Sequence, residues 1–359
     1  MSLRDFFSKN KVEPITTSKV VGIDIGSSSI KVVELQNINN VVTLTTYGEI
    51  QLGPYDNNKE IGQSVVLPPN IERQVLVDVL RESAVKAKTA VLAMPLSVSF
   101  VTTVTLSAKP KEDISSRVRV EAHKYIPVPM TEVTLDWAEI DTRAVVAETA
   151  RDVLLAAIQN EALNRFQTLM QTIEFHNPPT EIECFSTIRS LYYINDPSIA
   201  IIDIGAISTK IYLVHNGLLQ RMYRVRAGGA HVTELIAKEL ALSFEEAEVL
   251  KRSISPEKEQ FPLLQKINHN YYERVLKEFK QVIEEYEART GAEITAVYLT
   301  GGGSLFPQIC TLVTDSIGRP TSLANPFNKV AYPAFMEDTM NEIGPTFAVA
   351  LGAALQVFE

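Results

Sequence analysis

The chain of 359 residues is 45% hydrophobic and 21% charged, an ordinary globular composition with length enough for two lobes. Its formal net charge of −9 argues against a nucleic-acid partner, because phosphate backbones are held by clustered Lys and Arg. With only Cys184 and Cys310, a disulfide framework is excluded, and both residues read as buried thiols in apolar surroundings.

The opening stretch, MSLRDFFSKNKVEP, mixes charges among its apolar residues and lacks the uninterrupted apolar run of a secretion signal. Within it, Leu3, Phe6 and Phe7 suit one side of a short helix ended before Pro14. Val20 to Leu35, VVGIDIGSSSIKVVEL, then reads as two β-branched strands joined by a tight polar turn. That turn is a candidate phosphate loop. Gly26 lets a phosphate approach the backbone amides, Ser27, Ser28 and Ser29 add hydroxyls, and Asp24 at the mouth suits a hydrated Mg2+. Val41 to Tyr47 continues the sheet, and Gly53 to Asn58 is a polar turn. Glu72 to Ala87 carries Val75, Leu76, Val79 and Leu80 at helical spacing, and the strand Thr89 to Met94 stops at Pro95.

From Leu96 the pattern changes. Val98 to Leu106 alternates as a strand, Lys111 to Ala122 reads as a polar helix, and Tyr125 to Met130 is a proline-fixed extended link. Strands at Thr134 to Ile140 and Arg151 to Ile158 precede a helix over Asn160 to Thr172, with Leu163, Phe166, Leu169 and Met170 on one side. These elements make a small α+β unit. His123 and His176 have no Cys or His at ligand spacing and read as surface or hydrogen-bonded side chains. Pro178 and Pro179 mark a return, followed by a strand end and helix over Thr180 to Tyr193, and a second lobe begins near Asp196.

Ile201 to Val214, IIDIGAISTKIYLV, repeats the first hairpin: Ile202, Asp203, Ile204, Gly205, Ser208 and Lys210 match Ile23, Asp24, Ile25, Gly26, Ser29 and Lys31 at a constant offset of 179. Gly228 and Gly229 open a helix, and Ser243 with Glu246 forms an S-x-x-E capping box for the next. On that helix Glu248 and Lys251 share one face, where a surface ion pair is the plain alternative to a binding role. Tyr272, Val275, Leu276, Phe279, Val282, Ile283 and Tyr286 describe a long amphipathic helix ended by Gly291. The strand Ile294 to Leu299 meets a third Gly-rich turn, Thr300 to Ser304, and Leu305 to Ile317 reads as a helix whose N-terminus would point amides at a phosphate or ribose. Pro345 to Phe358 is an Ala- and Gly-rich helix suited to tight packing against the first sheet. No window reaches the roughly 18 apolar residues of a membrane span.

Two D-x-G hairpins followed by a strand and a GGGS turn resemble the actin, Hsp70 and sugar-kinase superfamily. KYIPVP at Lys124 to Pro129, TGGGS at Thr300 to Ser304 and IGPTFAVALGAAL at Ile343 to Leu355 resemble the PilM family of type IV pilus assembly proteins, relatives of the cell-division protein FtsA. The resemblance implies an α/β, actin-like (ribonuclease H-like) two-lobe fold with a small α+β insert of the 1C type in the first lobe. It divides the chain into first lobe (1–95), insert (96–178), first lobe again (179–196), second lobe (197–343) and a closing helix (344–359).

It also implies ATP and Mg2+ between the lobes. Gly26, Ser27, Ser28, Ser29 and Lys31 would serve one phosphate site, and Gly205, Ser208, Thr209 and Lys210 the other. Gly301, Gly302, Gly303 and Ser304 would serve the adenosine, Glu248 and Lys251 the ribose and adenine, and Asp24 and Asp203 the metal. Lys31 and Lys210 either supply positive charge or are solvated strand residues. Glu183, where the superfamily's connecting helix crosses the cleft, either orients the attacking or metal-bound water as the catalytic residue or is a solvent-facing carboxylate. No residue reads as an unambiguous general base, so binding is better supported than turnover.

The expected partner is the N-terminal cytoplasmic peptide of a PilN-like inner-membrane protein, docked between subdomain 1A and the insert. Other pilus assembly proteins and self-association are further expectations. The chain is expected to be a cytoplasmic scaffold, peripheral at the inner membrane through its partners. Two alternatives are weaker. FtsA-type filament proteins end with a linker and amphipathic helix, whereas this sequence stops at Glu359 directly after the closing helix. A small-molecule kinase would need an acceptor pocket with a positioned carboxylate base, and neither KYIPVP nor the small insert resembles such an enzyme.

Overall fold

The computed structural model describes residues 19–56, 59–108, 112–140, 150–175, 178–195 and 198–358. The helix expected around Leu3, Phe6 and Phe7, together with His176 and Asp196, lies outside these residues.

Strands β1 (Lys19–Ile25), β2 (Ser29–Ile38) and β3 (Val41–Gln51) form an antiparallel meander. Helix α1 (Pro69–Glu82) leads to β4 (Ala90–Met94), which pairs parallel with β1. The next unit consists of β5 (Ser99–Ser107), α2 (Ser115–Ala122), β6 (Val133–Ile140), β7 (Ala150–Gln159) and α3 (Asn160–Thr172). Its antiparallel sheet has the order β5-β7-β6. The chain then rejoins the first sheet as β8 (Thr180–Ile182), parallel to β4, and continues into α4 (Glu183–Leu191).

A second meander follows as β9 (Ser198–Ile204), β10 (Thr209–His215) and β11 (Leu218–Val225). After it come α5 (Gly229–Leu240), α6 (Phe244–Ser253), α7 (Phe261–Thr290), β12 (Ala296–Thr300), α8 (Ile309–Ile317) and β13 (Thr321–Leu323). Two last helices, α9 (Glu337–Ile343) and α10 (Ala348–Leu355), bring the chain back to the first sheet. The strand orders β3-β2-β1-β4-β8 and β11-β10-β9-β12-β13 are the same arrangement built twice.

Side-chain alternation explains why β9 and β10 are apolar on both faces. Every residue of both strands is buried. Ile199, Ile201, Tyr212 and Val214 join the core shared with the first sheet and the three-stranded unit, while Ala200, Ile202, Ile204, Ile211 and Leu213 pack beneath α7. A strand covered on both sides needs such a continuous run, and each large side chain so buried contributes about 1.5–3 kcal/mol.

Helix α10 lies with its backbone pressed between β1 and α4. A Cβ on Gly22 would come within 1.9 Å of the Ala350 carbonyl oxygen, and one on Gly352 within 1.8 Å of the Ser186 carbonyl oxygen. The buried Arg189 guanidinium fixes this layer by pairing with Glu181 and donating to the Gly352 carbonyl at 3.1 Å. The outer edge of β3 is covered as well, since Leu44 and Ala331 exchange backbone contacts through Leu44 N–H to Ala331 O at 2.8 Å and Ala331 N–H to Val42 O at 2.9 Å.

Element ends differ from expectation where local chemistry overrides periodicity. Helix α1 begins earlier, with Pro69 in its first turn, and stops at Glu82 because Ala84 adopts φ +52°. Its expected tail instead sends the Lys86 and Ala87 amides to the Glu34 carboxylate, both at 2.6 Å. Helix α2 starts only at Ser115, whose amide Asp113 caps at 2.9 Å. The helix expected from Leu305 starts at Ile309, after Pro307 and a left-handed Gln308 at φ +62°. Likewise a 3-10 turn, Gly344–Phe347, replaces the start of the closing helix.

Candidate functional site

A cavity of about 910 Å³ opens between the two five-stranded sheets, and both D-x-G hairpins line it. The turns are equivalent in detail: Gly26 N–H donates to Ser29 O and Gly205 N–H donates to Ser208 O, each at 3.0 Å. Register places Asp24 opposite Lys31 and Asp203 opposite Lys210. The third glycine turn closes in from β12, where Gly301 has φ +83° and its N–H donates to Pro345 O at 2.8 Å. Side chains are excluded there, because a Cβ on Gly301 would lie 2.5 Å from Asp203 Oδ1 and one on Gly303 would lie 2.3 Å from Ile204 Cγ2.

Neither lysine is a solvated strand residue. Lys31 Nζ donates to Ser29 Oγ at 2.6 Å and pairs with Glu49 at 3.1 Å. The buried Lys210 Nζ lies 2.9 Å from Asp203 Oδ2 and 3.0 Å from Glu183 Oε1. Burial opposes its charge, but Asp203 and then Glu183 outweigh that and hold the amine above the usual lysine range. Removal from water pushes the Asp24 carboxyl up to about 7, against the pull of Lys31, with Glu183 and Asp203 adding charge of the same sign.

Glu183 is not solvent-facing. It begins α4, is buried, and accepts the Leu96 N–H at 2.9 Å on the same oxygen that meets Lys210. It thereby joins the first sheet's connecting helix to the second sheet across the cavity floor. Its fixed partners give it a clear positioning geometry for Lys210, a group the sequence had left open.

In the second lobe Glu248 receives Lys251 at 2.6 Å, Arg252 at 2.7 Å and the Thr233 hydroxyl. Lys251 Nζ also donates to Gly229 O at 3.0 Å, so the ion pair is a buried brace between α6 and α5 rather than a surface contact. The expected capping box is present, with Ser243 accepting from Glu246 N–H.

Sixteen of the expected residues line the cavity and two do not. Thr209 is buried with its hydroxyl donating to Ala227 O, and Ser304 is buried with its hydroxyl donating to Gly301 O at 2.7 Å. Both stabilise the turns from behind. The amides expected from the helix at Leu305 are replaced by a 3-10 turn, Gly302–Leu305, because α8 starts later. Cys184 is buried as expected, whereas Cys310 is partly exposed. His123 caps α2 at the surface.

Several lining residues carried no signal in the motifs, among them Glu49, Arg224, Arg252 and Asn268. Further along the same cavity, Glu72 of α1 pairs with Arg165 of α3 at 2.9 Å, and Arg165 stacks 4.5 Å above the Phe166 ring. This is the groove between the first lobe and the three-stranded unit.

The site fits a nucleotide with a divalent cation. Turns stripped of Cβ atoms would leave room for phosphates, and Lys31 and Lys210 line the same cavity, where they would bring positive charge. The described residues contain no cluster of three or more His, Cys, Asp or Glu suited to a metal. Mg2+ needs none, since it takes one or two carboxylates together with phosphate oxygens and water. Asp24, held above its ordinary pKa by removal from water, is such a carboxylate.

Comparison with known proteins agrees with this architecture. A solved PilM-PilN type IV pilus biogenesis complex contains a chain 25% identical, with a TM-score of 0.79 over 95% of this chain and 98% of that one. The ethanolamine utilization protein EutJ from Carboxydothermus hydrogenoformans is 16% identical with a TM-score of 0.56, over 95% and 91%. MreB 5 of Spiroplasma citri, solved bound to AMPPNP, is 12% identical with a TM-score of 0.55, over 96% of each chain. These neighbours identify the fold as actin-like. The family profile described as Type IV pilus assembly protein PilM matches residues 22–358. With nearly its whole length matched, the chain belongs to the PilM family of type IV pilus assembly proteins.

Proposed function

We propose that this chain is an ATP-binding scaffold at the cytoplasmic face of the inner membrane that docks the N-terminal cytoplasmic peptide of a PilN-like protein. The observation that carries the nucleotide reading is the doubled hairpin: two equivalent Gly–Ser turns, each with an aspartate opposite a lysine, converge on one cavity. Mg2+, when bound, would offset the charge of Asp24, Asp203 and the triphosphate. Gly26, Ser27, Ser28, Gly205 and Ser208 would present donors to the phosphates, Lys31 and Lys210 would add charge, and Glu248 with Lys251 would face the ribose. Glu183 holds Lys210 in place rather than standing free as a base.

For the partner, support comes from the groove bounded by α1 and α3 and from the relative solved as a PilM-PilN complex. No helix among the described residues is long and apolar enough to cross a membrane, so recruitment by a membrane partner is the expected route to the machinery. Further pilus proteins and a second copy of the chain are additional expected contacts.

Calorimetric titration with Mg2+ and ATP tests the cleft. The wild type should bind, and Asp24→Ala and Asp203→Ala should each lose at least tenfold in affinity, about 1.4 kcal/mol, with unchanged circular dichroism. Undiminished affinity in both variants sinks the reading.

A further inference from the structure

The inward stripe of α7 is apolar or aromatic at Phe261, Leu264, Tyr272, Val275 and Phe279, and one amide interrupts it. Asn268 is buried to 4% exposure, lines the cleft cavity, and its carboxamide makes no hydrogen bond with any described residue. Because Asn268 lines the cavity, its amide is open to a group delivered there, and a polar side chain on an otherwise apolar stripe is suited to meet one.

Neighbouring contacts fix where along the cavity it stands. One turn before it, Gln265 donates to Gln308, the residue that precedes α8 after the third glycine turn; one turn after it, Tyr271 Oη accepts the Gly228 N–H at 3.1 Å. The two loops between which it sits nearly touch, since a Cβ on Gly229 would lie 4.0 Å from Gly303 Cα. Phe306 and Tyr272 line the same cavity and offer aromatic surface beside the amide.

We propose that Asn268 reads the edge of the purine base, its amide oxygen accepting from the 6-amino group of adenine while its N–H donates to the adjacent ring nitrogen. An Asn side chain recognises adenine through this paired donor and acceptor. The assignment rests on the nucleotide reading of the cleft and names the group that selects the base.

Titration with ATP and with purine riboside triphosphate, which lacks the 6-amino group, tests it. The wild type should prefer ATP by roughly tenfold or more. Asn268→Leu and Asn268→Ala should lose that preference, binding the two triphosphates about equally, with the loss in affinity larger for ATP than for purine riboside triphosphate. Without nucleotide, Asn268→Leu should melt no lower than the wild type, because no protein hydrogen bond is lost. Retained ATP preference in both variants overturns the proposal, as does a large drop in the melting temperature of nucleotide-free Asn268→Leu, which would make the amide structural. Failure of the wild type to bind either triphosphate overturns the cleft reading itself, and this assignment with it.

Discussion

The Glu248 carboxylate gathers Lys251, Arg252 and the Thr233 hydroxyl in surroundings largely closed to water. Burial alone would raise its pKa, but Lys251 and the hydrogen bonds hold it below the usual glutamate range. A carboxyl whose folded pKa is depressed adds stability fully above its unfolded value of 4.5, and that contribution is lost as pH falls through the folded pKa. Glu248→Gln should therefore lower stability by about 1–3 kcal/mol at neutral pH. In urea melts the gap from wild type should close as the buffer is taken to about pH 3, and a gap independent of pH would show that the charge is not what matters. The i, i+3 spacing announced this pair, yet not that Thr233 from α5 would complete it. The same holds for the lysines. Sequence placed Lys31 and Lys210 at matching hairpin positions, and what separates them is the third element each meets, Glu49 on β3 for one and Glu183 on α4 for the other. Such partners are fixed by tertiary packing and leave no local trace. Asn268 did leave one, as the single amide on an apolar helical stripe, but the expected helix was read only from Tyr272 onward.

Strand and helix identities were largely legible because apolar periodicity and the repeat at constant offset are strong signals; α3 even spans the expected Asn160–Thr172. Ends were less legible. Pro69, Asp113 and Gln308 shift helix starts through local backbone chemistry that a hydrophobic pattern ignores. The small residues of α10 were read as a device for close packing, and the contacts of Gly22 and Gly352 give that idea a test. Gly352→Ala places a methyl where the Ser186 carbonyl already sits, so it should cost at least about 1–3 kcal/mol by overpacking. Gly302→Ala, whose Cβ would meet nothing within 4 Å, should leave the melting temperature near wild type. Equal melting temperatures for the two variants would contradict the tight packing of α10.

Across the whole molecule, the lobes touch at several places besides Lys210 and Glu183. Arg224 donates to Leu96 O at 3.2 Å, Arg289 reaches Asp152 at 3.4 Å, and a Cβ on Gly62 would lie 2.9 Å from Glu248 Cδ. Through Asp152 on β7, the three-stranded unit is joined to the second lobe as well as to the first. A ligand that favours closure must then alter the groove beside α3, so peptide affinity should shift with ATP by about 1–3 kcal/mol, and ATP affinity by the same factor with peptide. Arg289→Ala should shrink that coupling while leaving peptide affinity without nucleotide near wild type. Identical peptide affinity with and without ATP would remove the switch and leave the docking role. The returning C-terminus bears on a different matter, the birth of the molecule. Val33, Leu35 and Leu44 of the first meander share their core with Phe327, Phe347, Leu351 and Leu355. While the polypeptide is still being translated, that sheet face has no cover, and it stays an apolar target for chaperones until α10 leaves the ribosome. Protease protection of the first meander in stalled nascent chains should accordingly appear only once Leu355 has emerged.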